Sequence, residues 1–482
     1  MSRENGKNKG AAAGLDSENA EREGRMPAPV SEFVRAYAAA APVRFHMPGH
    51  KGEPVLGCER LDITEIPGAD SLYEAAGILK ESEAHASRLF GSARTLYSAE
   101  GSSLAIRAML YLACLAYRAK GGRGRPLIAA GRNAHRAFLT AAALLDFDVL
   151  WLFPGREDEP FSLCRCSVDK EDLARALDDP AASERLAAVY VTSPDYLGHI
   201  ADLSALAQAA HERGLPLLVD NAHGAYLRFL PRSLHPLDCG ADLCCDSAHK
   251  TLPVLTGGAY LHVAERADPL FSAAAREAMA LFGSTSPSYL ILQSLDRANA
   301  ALSGAYPGAL AGTAWRAAEL KARLEEKGWR FAGDEPLKIT VKTKESGYTG
   351  REFAEILAAN SIVAEFADPD YCVLMVSPAN SDRDFARLES VWERIAPKKK
   401  IAARPPRPVR PRVLLSVREA VFSVWERVSL EDAVGRVAAQ PPAACPPAIA
   451  PVVPGEAVEE GAVEVFRYYD IEELDVVRGL SL

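Results

Sequence analysis

Apolar residues fall along this chain in short unbroken runs rather than in strict alternation. Leu127-Ile128-Ala129-Ala130, Val149-Leu150-Trp151-Leu152, Ala188-Val189-Tyr190-Val191 and Leu217-Leu218-Val219 are four of them. Runs of this length bounded by turn residues predict strands covered on both faces. Between them the period becomes helical. Residues 203, 206, 207 and 210 are apolar, which predicts a one-faced helix over 203–213 closed by Gly214. Helices are also expected over 30–40, 75–90, 101–115, up to 145, and up to 303. Strands alternating with helices predict an α/β domain with a mostly parallel sheet.

The last third reads differently. A long helix over 312–327 leads to an alternating strand over 337–341, a helix over 350–360 and strands near 363–365 and 372–376, a small α+β pattern. Lys398-Lys399-Lys400 and the Pro/Arg-rich stretch to Arg412 make a connector over 397–412, and a helix is expected over 416–426. The expected organisation is a disordered tail over 1–26, an N-terminal arm over 27–60, a large domain over 61–305 and small C-terminal domain(s) over 306–482.

With 482 residues and 48% hydrophobic content, a sizeable core is available. The net charge of −9 argues against a nucleic-acid partner. The Cys count is nine, an odd number, and Cys164-Arg165-Cys166 and Cys244-Cys245 are too closely spaced for zinc-ligand pairs. They read as buried thiols in a reducing compartment, and no metal is expected. No apolar run reaches the ~18 residues of a membrane span, and residues 1–25 lack the apolar core of a secretory signal. A cytoplasmic protein with no membrane partner is expected.

Candidate chemistry gathers where strands end. Asp220 closes one apolar strand, with His223 three residues later. Further along, ahead of a strand-like run over 259–263, stands Asp246-Ser247-Ala248-His249-Lys250-Thr251. A strand-end aspartate followed by a lysine in this order is what a pyridoxal 5'-phosphate (PLP) site needs: an amine to anchor the cofactor and a carboxylate for its ring nitrogen. Gly101-Ser102-Ser103 opens a helix after a strand, which suits an anion; an ordinary serine N-cap would look the same. His135 sits at another strand-to-helix turn. Pro48-Gly49-His50-Lys51 is a turn that serves either as a surface loop or as an active-site arm.

Taken together, Met47-Pro48-Gly49-His50-Lys51, Gly101-Ser102-Ser103, Asn133-Ala134-His135-Arg136, Ser193-Pro194-Asp195-Tyr196, Asp220-Asn221-Ala222-His223, Ser247-Ala248-His249-Lys250, Thr285-Ser286-Pro287 and Pro454-Gly455-Glu456 resemble the Orn/Lys/Arg decarboxylase family of fold-type-I PLP enzymes, in a short form without an N-terminal wing domain. The resemblance runs from about residue 45 to about 456. It implies a PLP-transferase-like large domain with a mostly parallel, seven-stranded-type sheet, and a smaller α+β C-terminal domain. It further implies that Lys250 anchors PLP, Asp220 pairs with the ring nitrogen, His135 stacks on the ring and His223 lies beside it. Gly101, Ser102, Ser103, Ser247 and His249 would surround the phosphate. His50, Lys51, Ser286 and Glu456 are substrate candidates. A homodimer or higher homo-oligomer is implied, with the His50 arm and the Ser286 loop completing a neighbour's site.

The implied reaction is decarboxylation of a small-molecule amino acid, either arginine, lysine or ornithine, with Lys250 or His249 returning a proton to Cα. The alternatives are another PLP reaction, such as that of an aldolase, desulfurase or aminotransferase, or a non-catalytic PLP-binding regulator. An aminotransferase would need an arginine for its second carboxylate, and none stands out. Three positions depart from the family pattern. Glu100 stands where Asn is frequent, Asn221 where Glu is frequent, and Gly257 where Gln is frequent.

Overall fold

The computed structural model describes residues 25–153, 168–178, 184–407, 410–441 and 450–481. The tail over 1–24, the Cys164/Cys166 pair and the proline-rich stretch 446–449 lie outside the described residues. The apolar runs become β2 (Leu127–Gly131), β3 (Asp148–Leu152), β4 (Leu186–Thr192) and β5 (Leu217–Asp220). With β1 (Arg94–Ser98), β6 (Leu243–Asp246) and β7 (Ala259–Val263) they build a seven-stranded sheet in the order β1-β7-β6-β5-β4-β2-β3. Strands β2 to β6 pair in parallel, while β7 is antiparallel to both β1 and β6. The mostly parallel seven-stranded expectation holds.

Both faces are covered, as unbroken apolar strands require. Leu96 and Leu261 pack with helices Gly101–Ala119, Arg136–Leu145, Leu203–His211 and Pro269–Phe282. Their chain neighbours Tyr97 and Tyr260 pack into a second cluster with helices Pro29–Ala40, Ile78–Phe90 and Tyr289–Leu302. Successive residues of one strand thus feed opposite layers.

Helix boundaries moved where side chains compete for the backbone. The helix expected from residue 75 starts at Ile78, because Asp70 accepts the amides of Ala76, Gly77 and Leu79 at 3.0, 2.8 and 3.0 Å. That satisfies donors a helix start leaves open. The helix expected to end near 115 continues to Ala119, with Ala116 and Tyr117 still buried. Helix Pro269–Phe282 was not foreseen; Asp268 caps it with an acceptor for the Leu270 amide at 3.0 Å.

The last third holds two sheets. β8 (Phe331–Ala332), β9 (Lys338–Lys342), β10 (Phe366–Ala367) and β11 (Tyr371–Met375) form an antiparallel sheet in the order β10-β11-β9-β8. The strand expected near 363–365 thus lies slightly later. β12 (Trp425–Ser429), β13 (Arg436–Ala438) and β14 (Glu473–Ser481) form the other, in the order β12-β14-β13. The helix expected over 416–426 is corrected. A Ser416/Glu419 capping box starts a helix, but it stops at Val421, and Trp425–Ser429 pairs with β14 instead. The basic connector is tied down: Lys398 and Ile401 donate backbone bonds to Ser346 and Lys344 at 2.9 and 3.0 Å, and Lys400 pairs with Glu345. Among the described residues, no helix is long and apolar enough to cross a membrane.

Candidate active site

Parallel pairing brings the carboxyl ends of β2, β4, β5 and β6 to one edge, where open α/β sheets bind ligands. The turns that follow these strands line a cavity of about 290 Å³, walled by His135, Tyr196, Asp220, His223 and Lys250 among others.

Asp220 ends β5 and is 2% exposed. Its carboxylate accepts from the Tyr190 hydroxyl at 3.1 Å, the Ala222 amide at 3.2 Å and the Cys245 thiol at 3.7 Å. These partners are neutral, and a buried carboxylate facing a cavity calls for a cation. His223 is also buried. Its Nε2 lies 3.1 Å from the Lys250 amine, while its Nδ1 is buried without a hydrogen-bond partner. Burial, assisted by the Lys338 and Lys250 charges, pushes the His223 imidazole well below its ordinary pKa. The ring is therefore neutral, and when it accepts from Lys250 its proton sits on the unpartnered Nδ1. His135 is the N-cap of helix Arg136–Leu145, its Nδ1 accepting from the Ala137 amide at 3.1 Å. Burial lowers its pKa too, against the pull of Asp220.

A second group gathers beside this one. Ser247 donates to Ser102 at 2.7 Å, joining the start of the Lys250 turn to the start of helix Gly101–Ala119. Ser103 is its half-buried neighbour. Gly101 has φ +72°, and its amide donates to the Gly257 carbonyl at 2.7 Å, so that N–H is already engaged. The His249 Nδ1 lies 3.0 Å from the Gly258 carbonyl, and burial lowers its pKa. The Glu100 carboxylate accepts from the Ser284 amide at 2.5 Å.

Asn221 donates from Nδ2 to Asp246 at 2.6 Å, joining the Asp220 turn to the Ser247 turn. Asp246 is fully buried between His235 and His262, each 3.1 Å away. Burial alone would raise its pKa; the two histidines hold it well below the carboxylate range. A glutamate at position 221 would bring a second carboxylate to this pair.

The four substrate candidates do not line the cavity within this chain. His50 bonds Asp62 at 3.2 Å, and the Lys51 amine donates to the His46 carbonyl at 2.5 Å. Ser286 is exposed. Glu456 is 2% exposed and paired with Arg132 through bonds of 2.7 and 2.6 Å. Sequence reasoning passed over Arg132, Trp151 and Glu365, which do line the cavity. Arg136 lines the cavity as well, and the Arg132 guanidinium is already engaged by Glu456. Arg132 was findable as the residue directly after β2; Glu365 had no local signal.

The donor set fits PLP: an amine anchor, a buried carboxylate with neutral partners, an unpartnered imidazole nitrogen and a serine pair at a helix start. Residues 28–343 match the model for "Orn/Lys/Arg decarboxylase, major domain", and residues 410–474 match that for "Orn/Lys/Arg decarboxylase, C-terminal domain". The chain is 27% identical to an arginine decarboxylase of Bacillus subtilis over 478 residues, 92% of this chain and 94% of that one. It is 29% identical to an arginine decarboxylase of Halalkalibacterium halodurans over 475 residues, 91% of this chain and 92% of that one. Its fold matches the Francisella novicida lysine decarboxylase LdcF with a TM-score of 0.75 at 17% identity, covering 93% of this chain and 81% of the other.

Proposed function

The chain belongs to the Orn/Lys/Arg decarboxylase family, and from that premise we propose that it decarboxylates arginine, lysine or ornithine with PLP as cofactor. The observation that carries this reading is the Lys250–His223 contact beside a buried Asp220 whose partners are all neutral. The cofactor, when bound, supplies an electron sink for the pair released as the Cα–carboxylate bond breaks.

The protein groups do the rest. Lys250 anchors the cofactor. Asp220 keeps a proton on the ring nitrogen, because a buried carboxylate favours the charged form of its partner. His135 would lie against the ring, and Ser102, Ser103, Ser247 and His249 would hold the phosphate, with Gly101 giving the turn its shape. His223, held neutral by burial, can accept a hydrogen bond from the Lys250 amine and so orient it. Lys250 is the better candidate to return a proton to Cα, since it lines the cavity whereas His249 is engaged with Gly258. CO2 and an amine leave.

The working form in this reading is a homodimer. The arm carrying His50 and Lys51 exposes Phe45 at 95%, Val55 at 77% and Leu56 at 87%. An apolar arm of this kind suits a partner surface, and the Ser286 loop is free to complete a neighbour's site. The reading also puts the enzyme in the cytoplasm, where buried thiols such as Cys244 and Cys245 stay reduced.

The test is CO2 release from arginine, lysine and ornithine separately, with PLP present. Release from one of them that disappears in Lys250→Ala is the expected result. No release from any of the three, with cofactor absorbance intact, would overturn it.

A further inference from the structure

A basic amino acid brings a second cation at the far end of its side chain, and a site that selects it needs a carboxylate there. Two carboxylates line the cavity among the described residues, Asp220 and Glu365. Asp220 is buried and suited to the cofactor. Glu456, the acid expected from sequence, is engaged by Arg132 and does not reach the cavity. Glu365 remains. It sits just before β10, where its amide donates to the Val373 carbonyl at 2.9 Å, and the residue as a whole is exposed at the cavity's rim. The Tyr196 hydroxyl donates to its Oε1 at 3.0 Å, leaving Oε2 available to a ligand. The Tyr196 ring stands edge-on to His223 with centroids 5.2 Å apart, and His223 touches Lys250. Glu365 is therefore held two side chains away from the reacting amine, on the small-sheet side of the cavity.

The geometry points to Glu365 as the acceptor for the distal ammonium or guanidinium of the substrate, with Tyr196 orienting it. This rests on the decarboxylase reading above, so the test has a binding arm that does not depend on turnover. PLP-loaded wild type and Glu365→Gln are compared in CO2 release and in calorimetric binding of putrescine, cadaverine and agmatine. A charge-assisted hydrogen bond lost without its counter-charge corresponds to roughly a ten- to hundredfold change. KM for the basic amino acid and the Kd of the matching amine should both rise by that factor. kcat and cofactor absorbance should change little, and Glu365→Asp should recover part of the loss. KM and Kd both within twofold of wild type would overturn the assignment. So would a fall in kcat with KM and Kd unchanged, which would mean that Glu365 acts through Tyr196 on His223. If wild type releases no CO2 but binds an amine in a Glu365-dependent way, the decarboxylase reading fails and the cation site stands. If it neither turns over nor binds, both fail.

Discussion

Replacing Glu456 by Gln should loosen the docking of the C-terminal unit far more than it disturbs substrate binding. Glu456 and Arg132 are 2% and 5% exposed and share two bonds of 2.7 and 2.6 Å. The Val453 amide adds a third to Glu456 at 2.7 Å. A glutamine keeps one acceptor but presents an NH2 group to the guanidinium and removes the balancing charge. Breaking a buried pair from one side costs about 3–5 kcal/mol, mostly because the other charge stays buried. Arg132 cannot easily swing out: it bonds the Ala450 carbonyl at 3.2 Å and lies 4.8 Å over the Trp151 ring. The assay is urea unfolding followed by tryptophan fluorescence, since Trp151 stands in the contact. A loss of about 3 kcal/mol in the first transition, with the urea slope unchanged, is expected. The double variant Arg132→Met/Glu456→Leu should recover most of it, because apolar replacement of both partners leaves no stranded charge. An unchanged urea midpoint together with a raised KM would refute the reasoning and return Glu456 to the substrate.

Three further outcomes are expected. Asp220→Asn removes the counter-charge from the cofactor ring and should lower activity at saturating PLP by roughly a hundredfold or more; activity within threefold of wild type would rule out its assigned role. Burial, with Asp370 adding to it, pushes the Asp368 carboxyl up to about 7. The ordinary value is ~3.9, so its contribution to stability is fully present below about pH 4 and is lost as pH rises through about 7. Asp368→Asn should therefore flatten the fall in urea midpoint between about pH 4 and about pH 7, and an undiminished slope in the variant would count against the buried acid. Gly101→Ala meets no atom within 4 Å but must adopt φ +72°. That strain costs about 1–2 kcal/mol and should weaken PLP binding through Ser102; an unchanged PLP Kd would mean that the turn does not shape the phosphate site.

Much of the site was legible because a parallel sheet converts order along the chain into adjacency in space. Asp220 ends a strand, His223, Ser247, Lys250 and His135 stand shortly after strands, and strand pairing gathers strand ends on one edge. The order of Asp220 and Lys250 was a local pattern; His135, His223 and Ser247 drew their expected roles from the resemblance to a family. What stayed hidden depends on partners remote in sequence. Arg132 meets Glu456 324 residues away, and Tyr196 meets Glu365 169 residues away. No periodicity or spacing marks such pairs. The helix expected over 416–426 failed for a related reason: Trp425 and Val428 are as compatible with a strand as with a helix, and only the distant β14 decides between them.

The positions that depart from the family pattern follow the same logic. Taken singly, Glu100 puts a carboxylate beside the proposed phosphate site, and Asn221 removes one beside the proposed ring partner Asp220. Each instead has a neighbour that absorbs it. The Glu100 carboxylate is engaged by the Ser284 amide, while Ser247 and Ser102 bond each other. Asn221 supplies the N–H that Asp246 needs, and Asp246 is itself fixed by His235 and His262. Asn221 and Asp246 therefore have to be read as one unit, in which a carboxylate at either position requires a donor at the other. If so, Asn221→Glu alone should be worse than Asn221→Glu combined with Asp246→Gln, which restores a donor opposite the new acid. PLP retention in the two variants decides the matter: equal losses would mean that the positions are independent.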